Sequence, residues 1–289
     1  MQIIETNHAL RAALQHQSSI AFVPTMGNLH AGHIGLVELA KQQADCVVVS
    51  IFVNPLQFGA NEDLASYPRT LAADLAKLEL AGASIVFTPS VNEIYPDFDG
   101  KNLNQTMTIE PPAIANVLCG ASRPGHFSGV ATVVMKLFNL VFYNTAQPNI
   151  AVFGQKDFQQ LLIIKQMVKQ FNLPIKIIAA DTTRETDGLA MSSRNGYLTI
   201  EERTAAPYLH AVLQRVKAAV CNGNHDYASL EQQATESLTQ AGWAVDYVSI
   251  REAASLLAPL IGLNYQTPQL VILGAARIGK TRLIDNLVI

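Results

Sequence analysis

Cysteine is scarce in this chain: Cys46, Cys119 and Cys221 lie far apart and form no C-x-x-C pair. This spacing argues against a disulfide framework and against a zinc site, and it fits a reducing cytoplasm. Charge is sparse as well, because charged residues make up 15% of the 289 residues and the net charge is −3. We find no basic stripe of the kind that binds a phosphate backbone, so we expect no nucleic-acid partner.

Long apolar runs are also missing. No such stretch approaches the roughly 18 residues of a membrane span, so we expect no membrane partner. The opening residues MQIIETNHALRAAL show no basic segment followed by a small-residue cleavage site, and they predict no signal peptide. Apolar residues make up 49% of the chain, which is enough to bury a sizeable core in one large or two ordinary domains.

Strands and helices alternate up to Asp181. Predicted strands lie at Ile20–Val23, Cys46–Val53, Ser84–Phe87, Asn149–Phe153 and Ile175–Ala180, and predicted helices at His33–Gln43, Thr70–Leu80, Val130–Val141 and Phe158–Gln170. This order is typical of βαβ units. Residues 1–181 are therefore predicted to form an α/β domain, a Rossmann-type parallel sheet with helices on both faces.

The pattern changes after Asp181. Two amphipathic helices, Glu201–Val220 and Tyr227–Gly242, precede a strand at Val245–Ile250. We expect residues 182–289 to form a smaller α+β C-terminal domain that acts as a lid.

The segment PTMGNLHAGH, from Pro24 to His33, follows the first predicted strand. A strand, a glycine turn and a helix start together make an anion site, because backbone N–H groups and the positive helix end face the ligand. His30 and His33 share one helix face and could donate to phosphate oxygens. On spacing alone, a pair of ordinary structural histidines explains the motif as well, and a metal site would need a third ligand that we do not find.

Three further segments carry polar groups in suggestive places. Asn54 and Gln57 in SIFVNPLQFG lie on a proline-bent loop after a strand, where uncharged amides suit a small polar substrate. Lys156 in FGQKDFQQ follows another strand, and Arg194 lies in DGLAMSSRNGYL. Both could bind phosphate. Taken singly, each segment is also explained as an ordinary turn or a solvated surface charge.

These blocks, in this order, resemble the pantothenate synthetase family. The resemblance rests on PTMGNLHAGH as a version of the HxGH nucleotide signature, on SIFVNPLQFG, YPRT, GASRPGHFSGVATVV, FGQKDFQQ and MSSRNGYL, and on the final RLIDN. It implies that pantoate, β-alanine and ATP react to pantothenate, AMP and pyrophosphate through a pantoyl adenylate. It also implies Mg²⁺ and a cytoplasmic homodimer.

The resemblance further implies a role for individual residues. The catalytic group would be His33 as proton donor together with His30, Lys156 and Arg194. Pantoate and β-alanine would contact Gln57, with Gln160 on pantoate and Asn54 nearby. The ATP-binding residues would be Met26, Gly27, Asn28, Leu29, His30, Ala31, Gly32, His33, Gly154, Gln155, Lys156, Asp157, Thr183, Met191, Ser192, Ser193 and Arg194. The ligands of Mg²⁺ are not identified.

Two features depart from the family pattern. Gln155 stands where the family usually has Glu, so any orienting effect on Lys156 comes without charge. The stretch FYNTA, from Phe142 to Ala146, reads as a loop insertion. Neither change removes a group that the chemistry requires.

Three alternatives remain open at this stage. Another small-molecule nucleotidyl transferase would share the histidine motif, and a non-catalytic ATP sensor would share the binding residues. The segment Gly274–Thr281, GAARIGKT, matches the P-loop pattern of NTPases. Few residues follow Thr281, however, and the segment reads better as a β-hairpin with Gly279 in its turn.

Overall fold

The structure is a computed structural model that describes residues 1–59, 62, 64–143, 149–259 and 269–289. Its strands are β1 (Gln2–Ile4), β2 (Ile20–Thr25), β3 (Cys46–Ile51), β4 (Ile85–Phe87), β5 (Asn149–Gly154), β6 (Lys176–Ala180), β7 (Ala244–Glu252), β8 (Leu270–Ile278) and β9 (Thr281–Val288). Its helices are α1 (Asn7–Leu14), α2 (Ala31–Lys41), α3 (Leu71–Ala81), α4 (Val91–Ile94), α5 (Cys119–Ser122), α6 (His126–Val141), α7 (Phe158–Gln170), α8 (Ile200–Ala205), α9 (Tyr208–Cys221) and α10 (Tyr227–Gln240). Short 3₁₀ turns lie at Pro55–Gln57, Ala113–Asn116, Gln155–Asp157 and Ser193–Tyr197.

The described residues divide into two compact units. The first comprises Met1–Gln155 and Gln160–Asp181, and the second comprises Lys156–Gln159 and Thr182–Ile289. The predicted domain boundary follows Asp181, and the short segment Lys156–Gln159 groups with the second unit instead of the first.

The first unit is built on a six-stranded parallel sheet with strand order β1-β4-β3-β2-β5-β6. Successive residues of a strand point to opposite faces, and both faces here are apolar. Ile20 and Phe22 of β2 pack into one core with α6, whereas Ala21 and Val23 pack into another core with α2. Burial on both faces explains the continuous apolar runs of the central strands, and it confirms the predicted Rossmann-type α/β sheet.

The order of the strands reverses between β2 and β5. Chain order proceeds from β2 to β3 and β4 on one side, and from β5 to β6 on the other. In open parallel sheets, ligands bind at the carboxyl ends of the strands beside such a reversal. The residues that follow β2 and β5, Met26 and Gln155, lie within two of the segments singled out from the sequence, PTMGNLHAGH and FGQKDFQQ.

The second unit packs helices against an antiparallel sheet with strand order β7-β8-β9. Leu209, Val212, Leu213 and Val216 of α9 join Ile272 of β8 in its core. This arrangement confirms the smaller α+β fold that was predicted for the C-terminal part.

Several boundaries differ from the predicted ones for local reasons. The helix predicted over Glu201–Val220 is interrupted at Pro207, because proline lacks the N–H donor that would continue the hydrogen bonds of the helix. Strand β1 was not predicted, since its three residues are too few to show an alternating pattern. The predicted insertion FYNTA extends from Phe142 and Tyr143 to residues outside the described ones.

No helix in the described part of the chain is long and apolar enough to cross a membrane.

Candidate active site

The glycine turn of PTMGNLHAGH follows β2 and has left-handed backbone geometry. Gly27 and Asn28 have φ angles of 82° and 50°. Glycine adopts this geometry without strain, and asparagine tolerates it better than most residues. A Cβ atom at Gly27 would also lie 3.1 Å from Ile51 Cγ2 and 3.3 Å from an oxygen of Asp74. The turn therefore requires glycine at position 27 for both its backbone and its surroundings.

Asp74, from α3, holds this turn in place. Its side chain is fully buried, and its two oxygens accept hydrogen bonds from the backbone N–H groups of Asn28 and Leu29, each at 2.8 Å. The Thr70 hydroxyl donates to the same carboxylate at 3.1 Å. Lys77, also from α3, donates to the Leu29 carbonyl at 2.5 Å. A buried carboxylate with several donors is a strong local tie.

The contacts of Asp74 change one expectation. The sequence suggested that N–H groups of the turn would face an anion, but those of Asn28 and Leu29 already donate to Asp74. These two N–H groups are therefore engaged within the protein. Other donors near this turn include the imidazoles of His30 and His33, and whether the turn binds an anion stays a prediction.

His30 and His33 form a reciprocal cap at the start of α2. The Nδ1 atom of His30 accepts from the Gly32 N–H at 3.1 Å, and the Nδ1 atom of His33 accepts from the His30 N–H at 3.3 Å. The two ring centroids lie 4.1 Å apart. Because an Nδ1 atom that accepts a hydrogen bond carries no proton, each neutral ring has its N–H at Nε2. The cap thus sets which nitrogen of each ring is a donor.

Asn54 and Gln57 lie on the turn after β3, where a buried tyrosine orients them. The Tyr95 hydroxyl donates to Asn54 Oδ1 at 2.6 Å, and Asn54 Nδ2 donates to Gln57 Oε1 at 3.0 Å. Asn54 is 1% exposed, and burial raises the pKa of Tyr95 above its ordinary value, so the hydroxyl remains a donor. The amide of Gln57 is thereby oriented with Nε2 as its remaining polar atom, 3.2 Å from Met26 Sδ.

The RPGHF segment braces the same turn from the other side. Arg123 pairs with both carboxylate oxygens of Glu62 at 2.6 Å and lies 2.9 Å from His126 Nε2. Arginine can only donate, so Nε2 of His126 accepts, and Nδ1 donates to the Gln57 carbonyl at 2.9 Å. Burial alone would raise the pKa of Glu62, but the hydrogen bonds and charge of Arg123 outweigh it and lower that pKa.

Glycine at position 129 lets α6 approach this turn. A Cβ atom there would overlap the Leu56 carbonyl oxygen and lie 2.8 Å from Gln57 Cα. The Gly129 carbonyl also accepts from Asn54 Nδ2 at 3.3 Å. Close backbone packing therefore explains one glycine of the GASRPGHFSGVATVV block.

Lys156 and Asp157 lie in the 3₁₀ turn Gln155–Asp157, directly after β5. Within the second unit, the side-chain amide of Asn286 donates to the Lys156 carbonyl at 2.8 Å. Gln160 lies farther along, in the first turns of α7, and is half-buried.

Thr183 and Met191 belong to one folded segment of the second unit. The Met191 N–H donates to the Thr183 carbonyl at 3.0 Å, and Arg184 pairs with Ala190 in an antiparallel bridge. Ser192 then caps the 3₁₀ turn Ser193–Tyr197 by accepting from the Arg194 N–H at 3.2 Å. The segment DGLAMSSRNGYL therefore has hydrogen bonds within itself and with the residues just before it, and these hold its backbone in place.

The structure brings together, within the first unit, the glycine turn and the Asn54–Gln57 turn through the contact between Met26 and Gln57. Sequence reasoning missed Asp74 and Tyr95, which position these turns from 46 and 41 residues away in sequence. An aspartate in a helix and a tyrosine after a short helix have no spacing that could have revealed them.

The P-loop alternative is excluded by the geometry of Gly274–Thr281. This segment is the end of β8, a turn at Gly279–Lys280 and the start of β9, paired in antiparallel register from Val271 with Val288 to Ile278 with Thr281. Gly279 has a φ of 54°. A P-loop requires a helix after its glycines, so the predicted hairpin is confirmed.

The fold and the site define a class: an α/β protein of Rossmann type, with a histidine-capped helix and polar turns at the carboxyl edge of its parallel sheet. Comparison with known proteins goes further. Residues 2–288 match the family described as Pantoate-beta-alanine ligase. The chain belongs to this family.

Relatives and solved structures agree along almost the whole chain. It is 61% identical to a pantothenate synthetase of Methylobacillus flagellatus over 99% of this chain and 98% of the relative. It is 56% identical to one of Thiobacillus denitrificans, with 99% and 96% covered. The crystal structure of the pantothenate synthetase from Thermus thermophilus is 40% identical, with a TM-score of 0.88 and 99% of each chain covered.

A further similar structure was solved as a complex with ligands. It is the pantoate-beta-alanine ligase from Francisella tularensis, complexed with Beta-gamma ATP and Beta-alanine. It is 37% identical to this chain, with a TM-score of 0.80, and the alignment covers 100% of this chain and 97% of that one.

Proposed function

We propose that this chain condenses pantoate with β-alanine at the expense of ATP and releases pantothenate, AMP and pyrophosphate. The match to the ligase family over residues 2–288 carries this proposal. The reaction needs activation because a carboxylate has no adequate leaving group. In the first step, a pantoate carboxylate oxygen attacks the α-phosphorus, and the bond to the β-phosphate oxygen breaks to release pyrophosphate. In the second step, the β-alanine amine attacks the acyl carbon, AMP leaves with the electron pair of the C–O bond, and the amine loses a proton.

The first step builds negative charge on phosphate oxygens, so the protein has to supply fixed donors. We assign this role to His30, His33, Lys156 and Arg194. The reciprocal cap supports the assignment of the histidines, because it places the proton of each neutral ring on Nε2. The remaining ATP contacts are assigned to Met26–His33, Gly154–Asp157, Thr183 and Met191–Arg194.

We assign pantoate and β-alanine to Gln57, with Gln160 as a further contact to pantoate; the buried Asn54 would serve the substrate site by orienting Gln57. The network of Tyr95 and Asn54 supports this assignment, because it commits Gln57 Oε1 to Asn54 and leaves Nε2 as the donor for a substrate. An N–H donor selects a carboxylate or hydroxyl oxygen, and pantoate carries both.

Mg²⁺ fits this site better as an ion bound to the ATP phosphates than as an ion held by protein ligands alone. Among the described residues, no cluster of three or more His, Cys, Asp or Glu side chains could hold a metal. Mg²⁺ is commonly bound by substrate phosphates and water with few protein ligands, and in that form it would neutralise phosphate charge. We further propose that the protein is a homodimer and that it works in the cytoplasm.

The decisive experiment measures pyrophosphate release from ATP in the presence and absence of pantoate, with and without β-alanine. We expect release to require pantoate, and pantothenate and AMP to appear only when β-alanine is added. Release with another carboxylic acid in place of pantoate would identify a different nucleotidyl transferase. ATP binding without any release would identify a non-catalytic sensor.

A further inference from the structure

The RLIDN segment near the end of the chain has no part in the function proposed above. Its residues Asp285 and Asn286 lie in β9, and each is 4% exposed. Polar side chains that are buried this deeply need partners, since an unpaired polar group in an apolar interior is costly. Asn286 contacts Lys156, and Asp285 contacts Arg184, the residue after Thr183; we assign both Lys156 and Thr183 to ATP.

Asn286 holds the first of these segments by its backbone. Its Nδ2 atom donates to the Lys156 carbonyl at 2.8 Å, across 130 residues of sequence. A contact to the main chain fixes the path of the chain where the Lys156 side chain begins. It does so without using the Lys156 amino group.

Asp285 holds the second segment through Arg184. The two carboxylate oxygens accept from Arg184 Nη1 at 2.7 Å and from Nη2 at 2.9 Å. The same guanidinium donates to the Gly188 carbonyl at 3.0 Å and to the Asn286 carbonyl at 3.4 Å. Arg184 follows Thr183 directly, and Gly188 lies three residues before Met191. The Arg184 guanidinium therefore braces the Thr183–Met191 segment at two places along its length.

His210, from α9, contacts the same carboxylate oxygen as Arg184 Nη1. Its Nδ1 atom lies 3.1 Å from Asp285 Oδ2, and its Nε2 atom lies 3.2 Å from Gln214 Nε2. Asp285 is thus surrounded by donors from α9 and from the Thr183–Met191 segment. This geometry suits a carboxylate whose function is to hold its neighbours in place.

We infer that Asp285 and Asn286 are positioning residues for ATP: one strand fixes both the Lys156 turn and the Thr183–Arg194 segment relative to each other. The inference rests on the proposed ATP-binding role of these two segments. Side chains that must contact one phosphate chain bind it more tightly when they are already aligned. Small displacements of such donors also reduce the stabilisation of the transition state strongly.

The test replaces Asn286 by Asp, which has the same shape but presents an oxygen to the Lys156 carbonyl oxygen. We expect the KM for ATP to rise at least about ten-fold, since the Lys156 carbonyl loses its donor and faces a carboxylate oxygen instead. The KM for pantoate should stay within about two-fold, because the Asn54–Gln57 turn lies in the first unit.

Two variants in the same sheet serve as controls. Arg282→Gln breaks the ion pair between Arg282 and Asp246, 2.7 Å apart, on the same strand as Asn286. Leu283→Ala removes a buried side chain of the second-unit core and lowers thermal stability. We expect both to keep the KM for ATP, so that a loss of stability alone is separated from a loss of alignment.

If Asn286→Asp yields no soluble protein, the KM for ATP is measured for Arg184→Lys instead. Lysine keeps the positive charge but cannot donate to both carboxylate oxygens of Asp285 as arginine does. An unchanged KM for ATP in the soluble variant, or an equal rise in Leu283→Ala, would overturn the inference. The wild-type protein tests the proposed function separately. If the proposed function is wrong, the wild type shows no pantoate-dependent pyrophosphate release; if only the inference about Asp285 and Asn286 is wrong, the wild type still shows it.

Discussion

At the scale of single residues, His30 and His33 have a structural role at the start of α2, and we propose a chemical role for the same two side chains. Each Nδ1 atom caps a backbone N–H at the start of α2, and this bond places the ring proton on Nε2. An ordinary capping residue such as serine would satisfy the helix equally well. The proposed function accounts for imidazole in both positions, since each ring can supply a donor at Nε2 in addition to the cap.

Replacing His33 separates these two roles. His33→Ala should lower the rate of adenylate formation at least ~100-fold, the scale of losing one positioned donor in a transition state. His33→Asn is the matched control for the cap, since an asparagine oxygen can accept from a backbone N–H but has no imidazole. We expect both variants to lose the rate and only His33→Ala to lose stability, measured by single-turnover kinetics and thermal unfolding. Near-normal single-turnover rates in both would remove His33 from the proposed mechanism.

The surroundings of Asp285 predict that the second unit loses stability at acidic pH. Burial alone raises the pKa of this carboxyl, but hydrogen bonds from His210 and Arg184 and the positive charge of Arg184 outweigh burial, so the pKa lies below its ordinary value. A carboxyl with a lowered pKa in the folded state stabilises it fully above the unfolded value of about 3.9. That stabilisation is lost as the pH falls through the lower, folded value.

The measurement compares the free energy of unfolding of the wild type and of Asp285→Asn between pH 7 and pH 3. We expect the variant to be less stable at pH 7 and to lose less stability on acidification. Parallel pH profiles in the two proteins would show that Asp285 has an ordinary pKa in the folded state.

At the scale of elements, helices of the first unit determine the geometry of turns that follow strands. Helix α3 provides Asp74 and Lys77 to the glycine turn. Helix α6 provides Gly129 and His126 to the Asn54–Gln57 turn. In each turn, contacts from a packed helix therefore add to those within the turn and help to fix where its polar side chains lie.

Gly129→Ala tests this dependence. The new methyl group would overlap the Leu56 carbonyl oxygen, so the turn or α6 must shift. We expect a loss of about 1–3 kcal/mol in the free energy of unfolding, as for overpacked cores, and a higher KM for pantoate. Gly196→Ala is a stability control, since a Cβ atom there meets nothing within 4 Å. An unchanged KM for pantoate in Gly129→Ala would show that the position of the turn does not affect substrate binding.

At the scale of the whole molecule, the proposed ATP contacts come from segments that are far apart in sequence. They follow β2 and β5 in the first unit and continue in the Lys156 and Thr183–Arg194 segments of the second unit. A ligand that binds only the folded protein favours the folded state, whichever of these segments contact it.

ATP with Mg²⁺ should therefore stabilise the whole chain and protect one particular lysine. At 100 times the dissociation constant, we expect ~2.7 kcal/mol of added stability, measured by denaturant unfolding. We also expect amine-reactive labelling of Lys156 to fall with ATP, while Lys280, exposed in the β8–β9 turn, is labelled as before. Protection of Lys280 and not of Lys156 would contradict the proposed site.

The sequence by itself determined the alternation of strands and helices, the apolar central strands and the short motifs after them. These properties depend on neighbouring residues: the period of the side chains, the geometry of glycine and the order of polar groups along the chain. Helix α7 was predicted with the bounds that the structure shows, Phe158–Gln170. The hairpin of β8 and β9 was predicted for the same reason, since Gly279 and the flanking apolar residues are local signals.

Only the tertiary structure decided which distant residues hold these motifs in place. Asp74 contacts Asn28, Tyr95 contacts Asn54, and Asn286 contacts Lys156, and the two residues of each pair are 46, 41 and 130 positions apart. Such pairs have no repeating spacing, because they depend on how whole helices and strands pack. A buried polar side chain acquires its role from the partner that folding brings to it, and that partner is a property of the three-dimensional arrangement.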